Sequence, residues 1–215
     1  MNGPAVADFS IERSHLERGC PSVAGVDEVG RGALCGPVVA AAVLFPPSLI
    51  AAAPPTWLRR INDSKLLSPR RREELVRPIL EEAASVGVGW SISGEVDRLN
   101  VFHASHAAMR RAVSLLSPAP GLVLVDGVAL RDCPWPQEAL PQGDRRSSSI
   151  AAASILAKVL RDAFLRFCDP LFAGYGLAGH KGYGTAAHYR ALEALGPCPF
   201  HRRSFQLQWP RKLFE

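Results

Sequence analysis

The chain has 215 residues, 47% hydrophobic and 21% charged, with a formal net charge of +5 and an isoelectric point near 9.2. These values exclude a disordered polyelectrolyte and suit one globular domain with a real core, or one domain with a small appendage. The basic balance suits a polyanionic partner without demanding one.

Cys20, Cys35, Cys133, Cys168 and Cys198 form no CxxC pair and no zinc spacing, so reduced thiols and a cytoplasmic location are expected. The start "MNGPAVADFSIERSH" has no leader pattern, and "GPVVAAAVLFPP" is too short to span a bilayer.

In chain order, residues 1–20 are polar and expected to be loosely ordered. Residues 23–29 and 37–45, rich in Val and Ala, read as two strands. In "DSKLLSPRRREELVRPILEEA" a helix starts with Ser68 as N-cap and Pro69 at the first helical position. "SVGVGWSISG" reads as a strand and "VDRLNVFHASHAAMRRAVSLL" as one long amphipathic helix. "GLVLVDG" is a short buried strand ending on an acid, and the proline-rich residues 127–143 give no clear element. In the helix "SSSIAAASILAKVLRDAFLRF" the polar positions Ser154, Lys158, Asp162 and Arg166 recur every fourth residue, which predicts that the rest of its surface is buried. "GTAAHYRALEALG" is a last helix stopped by Gly196. Strands interleaved with helices in this order indicate one mixed α/β sheet.

Asp27, Glu28, Asp126 and Asp144 each stand between apolar structure and a glycine. An acid at the end of a buried strand costs desolvation energy, and several together repel; a divalent cation relieves both. An all-carboxylate set without His or Cys suits Mg2+ or Mn2+, and a pair of such ions suits phosphoryl transfer. Each acid taken singly fits equally well as a cap or turn former, Asp144 especially. Neighbours on a regular strand point to opposite faces, so for Asp27 and Glu28 to share an ion either a bulge or distortion near Gly30 turns both inward, or one of them contributes by its backbone alone.

Gly30, Gly32 and Gly36 in "GRGALCG" do not make a dinucleotide loop: the spacing is GxGxxxG, two acids precede it and a strand follows. Close approach of the backbone to a ligand remains, and a ribose 2′-hydroxyl fits such an approach.

With "GVDEVGRG", "NDSKLLSPRRREEL", "VDG" at 125–127, "AAASILAKVLRDAF", "HKGYGT" and "HRRSF", the sequence resembles the bacterial ribonuclease HII family from about residue 22 to 205. The resemblance implies a ribonuclease H-like α/β fold, a mixed five-stranded sheet flanked by helices. It implies a catalytic domain over 21–170 and a C-terminal helical substrate-binding extension over 171–215. It implies cleavage of the RNA strand of RNA–DNA hybrids, and cutting on the 5′ side of single ribonucleotides in duplex DNA, giving 3′-hydroxyl and 5′-phosphate ends. Carried over by motif, Asp27, Glu28, Asp126 and Asp144 are the catalytic metal ligands, holding two Mg2+ or Mn2+ ions. Gly30, Arg31 and Gly32 are the motif whose backbone reads the 2′-hydroxyl, and Tyr183 stacks on the sugar at the RNA-to-DNA junction. Lys65 and Lys181, with Arg202 and Arg203, are candidate phosphate contacts, and a solvated basic surface explains them equally well.

The chain departs from the family at Ala33, where proline is usual, and in "QGDR", where Lys-Gly-Asp-Ser is usual; Pro141 also stands where a strand is expected. Two alternatives are weighed. A ribonuclease HIII-like nuclease usually has an extra N-terminal domain and a lysine in the glycine motif; a non-catalytic hybrid-binding protein would not need all four acids. The reading takes the chain as a monomer without a membrane partner. The end, "QLQWPRKLFE", has a faint likeness to sliding-clamp peptides.

Overall fold

The computed structural model describes residues 7–61 and 67–208. Lys65, and the C-terminal peptide from Trp209 on, fall outside the described residues. Strand β1 (Val23–Val29) pairs antiparallel with β2 (Val38–Leu44), and β2 with β3 (Ser85–Ser91). On its other side β1 runs parallel to β4 (Leu122–Asp126), and β4 to β5 (Gln137–Leu140). The order β3-β2-β1-β4-β5 puts β1 in the middle of a mixed five-stranded sheet. Strands β1 and β2 are buried on both faces, which is why they read as apolar runs and not as alternating ones.

The helices are α1 (Ser10–Glu17), α2 (Pro47–Ala51), α3 (Pro69–Glu82), α4 (Ser93–Ser114), α5 (Ser148–Cys168), α6 (Leu177–His180) and α7 (Ala186–Leu195). Helix α4 closes one sheet face over Val26, Ala40 and Ala42, and α5 closes the other over Ala41 and Val43. Both lie close because glycine leaves room. A Cβ at Gly25 would sit 2.3 Å from the Ile150 nitrogen of α5; at Gly87 and Gly89 it would sit 2.0 Å from carbonyl oxygens of Ala112 and Ala108 on α4. Helix α3 starts as expected, with Ser68 Oγ accepting from the Arg71 N–H at 3.3 Å.

Four expectations change. Residues 7–20 are packed. Phe9 and Glu12 of this segment are buried, and Ser148 N donates to Asp8 O at 2.9 Å. The polar composition was misleading because α1 buries polar groups against partners distant in sequence. The single helix expected over residues 96–116 breaks at Asn100, which sits at φ 62°; its Oδ1 accepts from the N–H groups of Phe102 and His103 and so caps a second segment. The proline-rich stretch contains β5 and a 3-10 turn over Gly143–Arg145, and β5 ends one residue before Pro141, so the proline takes no ladder bond. Most of the remaining α5 surface is buried as expected, but the polar line is not simply the solvent face: Ser154 and Asp162 are buried and Arg166 is exposed, whereas Leu160 and Phe167 are exposed, Phe167 by 73%. The fourfold spacing was real, but Ser154 meets Asp27, Lys158 meets Tyr183 and Asp162, and Arg166 pairs with Glu73 of α3 at 3.0 Å.

Candidate active site

The carboxylates meet where β1 and β4 end. In the β1–β2 ladder Asp27 lies opposite Ala41 and Glu28 opposite Ala40, and pairing continues unbroken to Val29. No bulge turns Glu28. Asp27 faces α5, like Gly25 two residues before it; Glu28 starts on the α4 side. The parallel neighbour settles the problem. Strand β4 ends at Asp126, one residue past the Val26–Val125 pair, so its carboxylate stands at the C-terminal ends of the two strands, and its charge acts on both Asp27 and Glu28.

Electrostatics reports this convergence. Burial, then repulsion from Glu28 and Asp126, pushes the Asp27 carboxyl well above its ordinary range. Burial also raises Glu28, opposed by Arg31 and reinforced by Asp126. Asp27 accepts from Ser154 of α5 and, at 2.7 Å, from the N–H of Glu28. Arg31 Nη1 is 3.2 Å from Glu28 Oε1. Asp126 Oδ1 accepts from the Gly143 N–H at 2.7 Å, which ties β4 to the turn that holds Asp144. Asp144 is buried in that turn, directly before α5.

The glycine loop is held by two arginines. Arg161 is fully buried and donates to the carbonyls of Pro37 (2.8 Å), Lys181 (2.9 Å) and Cys35 (3.2 Å). Arg202, also fully buried, donates to Gly36 (3.0 and 2.8 Å) and Arg31 (2.8 Å). Burial lowers both guanidinium pKa values, that of Arg202 to about 10. The loop is also stitched between two distant segments: Leu34 N donates to Gly182 O, Gly36 N to Phe200 O and Arg202 N to Leu34 O. Arg202 is thereby occupied inside the protein and does not serve as a phosphate contact. Arg203 is exposed, with its N–H on Asp97.

Gly30 and Gly32 differ. Gly30 sits at φ +97°, and a Cβ there would lie 2.2 Å from Arg161 Nε; its smallness serves that arginine. At Gly32 a Cβ would meet no atom of the described residues within 4 Å. Of the two, Gly32 is the one that leaves space for a ligand among the described residues.

Tyr183 bridges Ala33 across the loop, and its ring lies under Lys158 Nζ at 5.7 Å and Arg161 Cζ at 5.4 Å. Lys158, fixed by Asp162 at 2.8 Å, stands one helical turn beyond Ser154, which puts Tyr183 about 6 Å along α5 from the Asp27 anchor. Lys158 and Arg161 were missed as site residues; their spacing from Ser154 on one helix face was the available signal. Lys181 is half-buried, its ammonium on the Ala178 carbonyl, and burial lowers its pKa.

A second cluster lies beneath Tyr183. Donor atoms of Cys35, His188 and His201 fall within 4.8 Å of one another, and hydrogen bonds engage both histidines. His188 Nδ1 donates to Tyr183 O at 3.0 Å, and Cys198 N donates to His201 Nδ1 at 3.1 Å. His201 Nε2 must therefore carry the proton it shares with His188 Nε2 at 3.0 Å. Both rings are neutral, and burial brings His188 down to about 4. The cluster is a strut for Tyr183.

No helix among the described residues is long and apolar enough to cross a membrane. A sequence model of the ribonuclease HII family matches residues 24–208. The chain is 50% identical to a ribonuclease HII of Moorella thermoacetica over 198 residues, 92% of this chain and 93% of that one. Its fold is similar to that in a PCNA–RNase HII complex from Archaeoglobus fulgidus (TM-score 0.65, 21% identity, covering 88% of this chain and 97% of that one). It is also similar to a Bst-RNase HIII solved with Mn2+ (TM-score 0.61, 20% identity, 91% and 67%). The 50% identity and the family-model match both point to ribonuclease HII and not to an HIII-like nuclease or a non-catalytic binder. The chain belongs to the ribonuclease HII family of metal-dependent endoribonucleases.

Proposed function

We propose that this chain cuts duplex DNA on the 5′ side of a single embedded ribonucleotide, and the RNA strand of hybrids, leaving 3′-hydroxyl and 5′-phosphate ends. The observation that carries the reading is the convergence of Asp27, Glu28 and Asp126 beside the open space at Gly32. The donor set fits a hard divalent ion: the carboxylates are buried, they repel one another, and Arg31 at Glu28 is the cation that moderates them. Asp27, Glu28, Asp126 and Asp144 are the residues that would hold two Mg2+ or Mn2+ ions. Bound there, the ions supply Lewis-acid stabilisation of the phosphate charge and lower the pKa of the attacking water.

The chain's own residues do the rest. Ser154 holds Asp27 and Gly143 holds Asp126, so the carboxylates are oriented before substrate arrives. Gly32 offers main-chain groups to the ribose edge, with Arg161 and Arg202 fixing the loop behind it. Tyr183 is half-buried with Lys158 and Arg161 over its ring, and is the residue that would stack on a sugar. Lys158 and Lys181 add positive charge where phosphates would pass. We take the protein as a cytoplasmic monomer; the C-terminal peptide with the faint likeness to sliding-clamp peptides lies, from Trp209 on, outside the described residues.

The test is a duplex with one ribonucleotide, incubated with Mg2+ or Mn2+. A single cut 5′ of the ribonucleotide is expected, with an all-DNA duplex left intact. An uncut ribonucleotide duplex sinks the reading.

A further inference from the structure

Helix α5 serves the site along its length, through Ser154, Lys158 and Arg161. Where α5 begins therefore decides where those groups stand. The first N–H groups of a helix have no partner within it. In α5 each finds one. Ser148 N donates to Asp8 O at 2.9 Å, Ser149 N to Glu12 Oε1 at 2.9 Å, and Ile150 N to Ser147 Oγ at 3.2 Å. Two of these acceptors belong to the N-terminal segment.

Glu12 does more than accept one bond. Its Oε1 also takes the Ser147 hydroxyl proton at 2.7 Å, across 135 residues of sequence. That hydroxyl has one proton; given to Glu12, it turns its lone pairs to Ile150 N. Glu12 thus orients the N-cap as well as filling a helix donor. From Ser147 the bonds continue to the carboxylates: Ser147 N donates to Gly143 O at 2.8 Å, and Gly143 N donates to Asp126 Oδ1 at 2.7 Å. Asp144 lies within that turn.

The side chain is a costly choice for mere packing. Glu12 is fully buried, and among the described residues neither its Oε2 nor the neighbouring Ser148 hydroxyl has a hydrogen-bond partner. An apolar residue would avoid that desolvation. What a carboxylate adds is a fixed acceptor for two donors at the positive end of a long helix.

We propose that Glu12 is a positioning residue for the metal-holding carboxylates, fixing the start of α5 and, through Ser147 and Gly143, the placement of Asp126 and Asp144. The inference rests on the assignment of those carboxylates made above. It is tested on the full chain by calorimetric titration with Mn2+ in the absence of substrate, with cleavage followed against Mn2+ concentration in parallel. Glu12→Ala should weaken Mn2+ binding about 10-fold, while hybrid binding in chelator is unchanged. Glu12→Gln keeps the acceptor oxygen and should restore the wild-type Mn2+ affinity. Glu12→Ala binding Mn2+ as tightly as wild type overturns the inference, and so does an equal loss in Glu12→Gln. If Glu12→Ala does not fold, Glu12→Asp decides: it keeps the charge but is one methylene short, and unchanged Mn2+ affinity in it again overturns the proposal. Wild-type protein that neither binds Mn2+ nor cuts would instead refute the site assignment itself.

Discussion

Two neighbouring regions bury charge in opposite ways. At the ends of β1 and β4, like charges sit together and raise one another's pKa. Around the glycine loop that follows β1, Arg161 and Arg202 are fully buried, yet the acceptors on them are main-chain carbonyls, six bonds in all at 2.8–3.2 Å. The arginine region is satisfied within the protein and so is rigid. The carboxylate region is only partly satisfied, and what it still needs is positive charge from outside. Charge left uncompensated by the fold is what makes a site; charge compensated by backbone makes the frame that holds it.

The largest effect should come from relieving the carboxylate region. Asp126→Asn should lower the cleavage rate by at least about 10^3-fold, or ~4 kcal/mol, with hybrid binding retained. The metal-free variant should be more stable than wild type by roughly 1 kcal/mol, because Asp27 and Glu28 lose a repelling neighbour. The sign with pH follows from the raised Asp27 value. The folded state binds more protons there than the unfolded one, so wild-type stability from this group is present at low pH and lost as pH rises through the folded pKa. The gap between variant and wild type should therefore shrink as pH falls, in urea titrations with chelator. A gap that does not move with pH breaks the comparison from the carboxylate side.

The arginine region should respond the other way. Arg161→Met removes the partner of three buried carbonyls and should cost about 3 kcal/mol of stability, read from the urea midpoint. Added Mn2+ should not recover that loss, since the carbonyls face the loop and not the carboxylates. A variant as stable as wild type would show that water replaces the guanidinium without cost.

The sequence shows the acids and the glycines, because a carboxylate or a glycine inside an apolar run is conspicuous. It hides the partners. Arg161 looks like one more surface cation on a helix, and Arg202 like half of a basic pair, yet both are fully buried. Their acceptors are main-chain carbonyls, which leave no mark in composition or periodicity. Glu12 is hidden for the same reason, since its donors lie about one hundred and thirty-five residues away. The inward turn of the Ser154–Lys158–Asp162 line was misread because period alone gives a face and not its direction. Only what the face meets, here Asp27 and Tyr183, gives the direction.

The smallest expected effect on the fold separates the two glycines of the motif. Gly30 belongs to the arginine region, since Arg161 fills the space a side chain would take. Gly32 belongs to the site, since a Cβ there meets nothing within 4 Å among the described residues and its backbone is not left-handed. Gly32→Ala should therefore leave stability within about 0.5 kcal/mol of wild type, measured by urea unfolding. Its cost should appear only with substrate, as a loss of roughly 10-fold, ~1.4 kcal/mol, in cutting at a single ribonucleotide. The mutated atom would occupy the path of the sugar and leave the protein untouched. Cleavage at the wild-type rate would mean that the ribose does not approach the loop at Gly32, and the open space there would need another occupant.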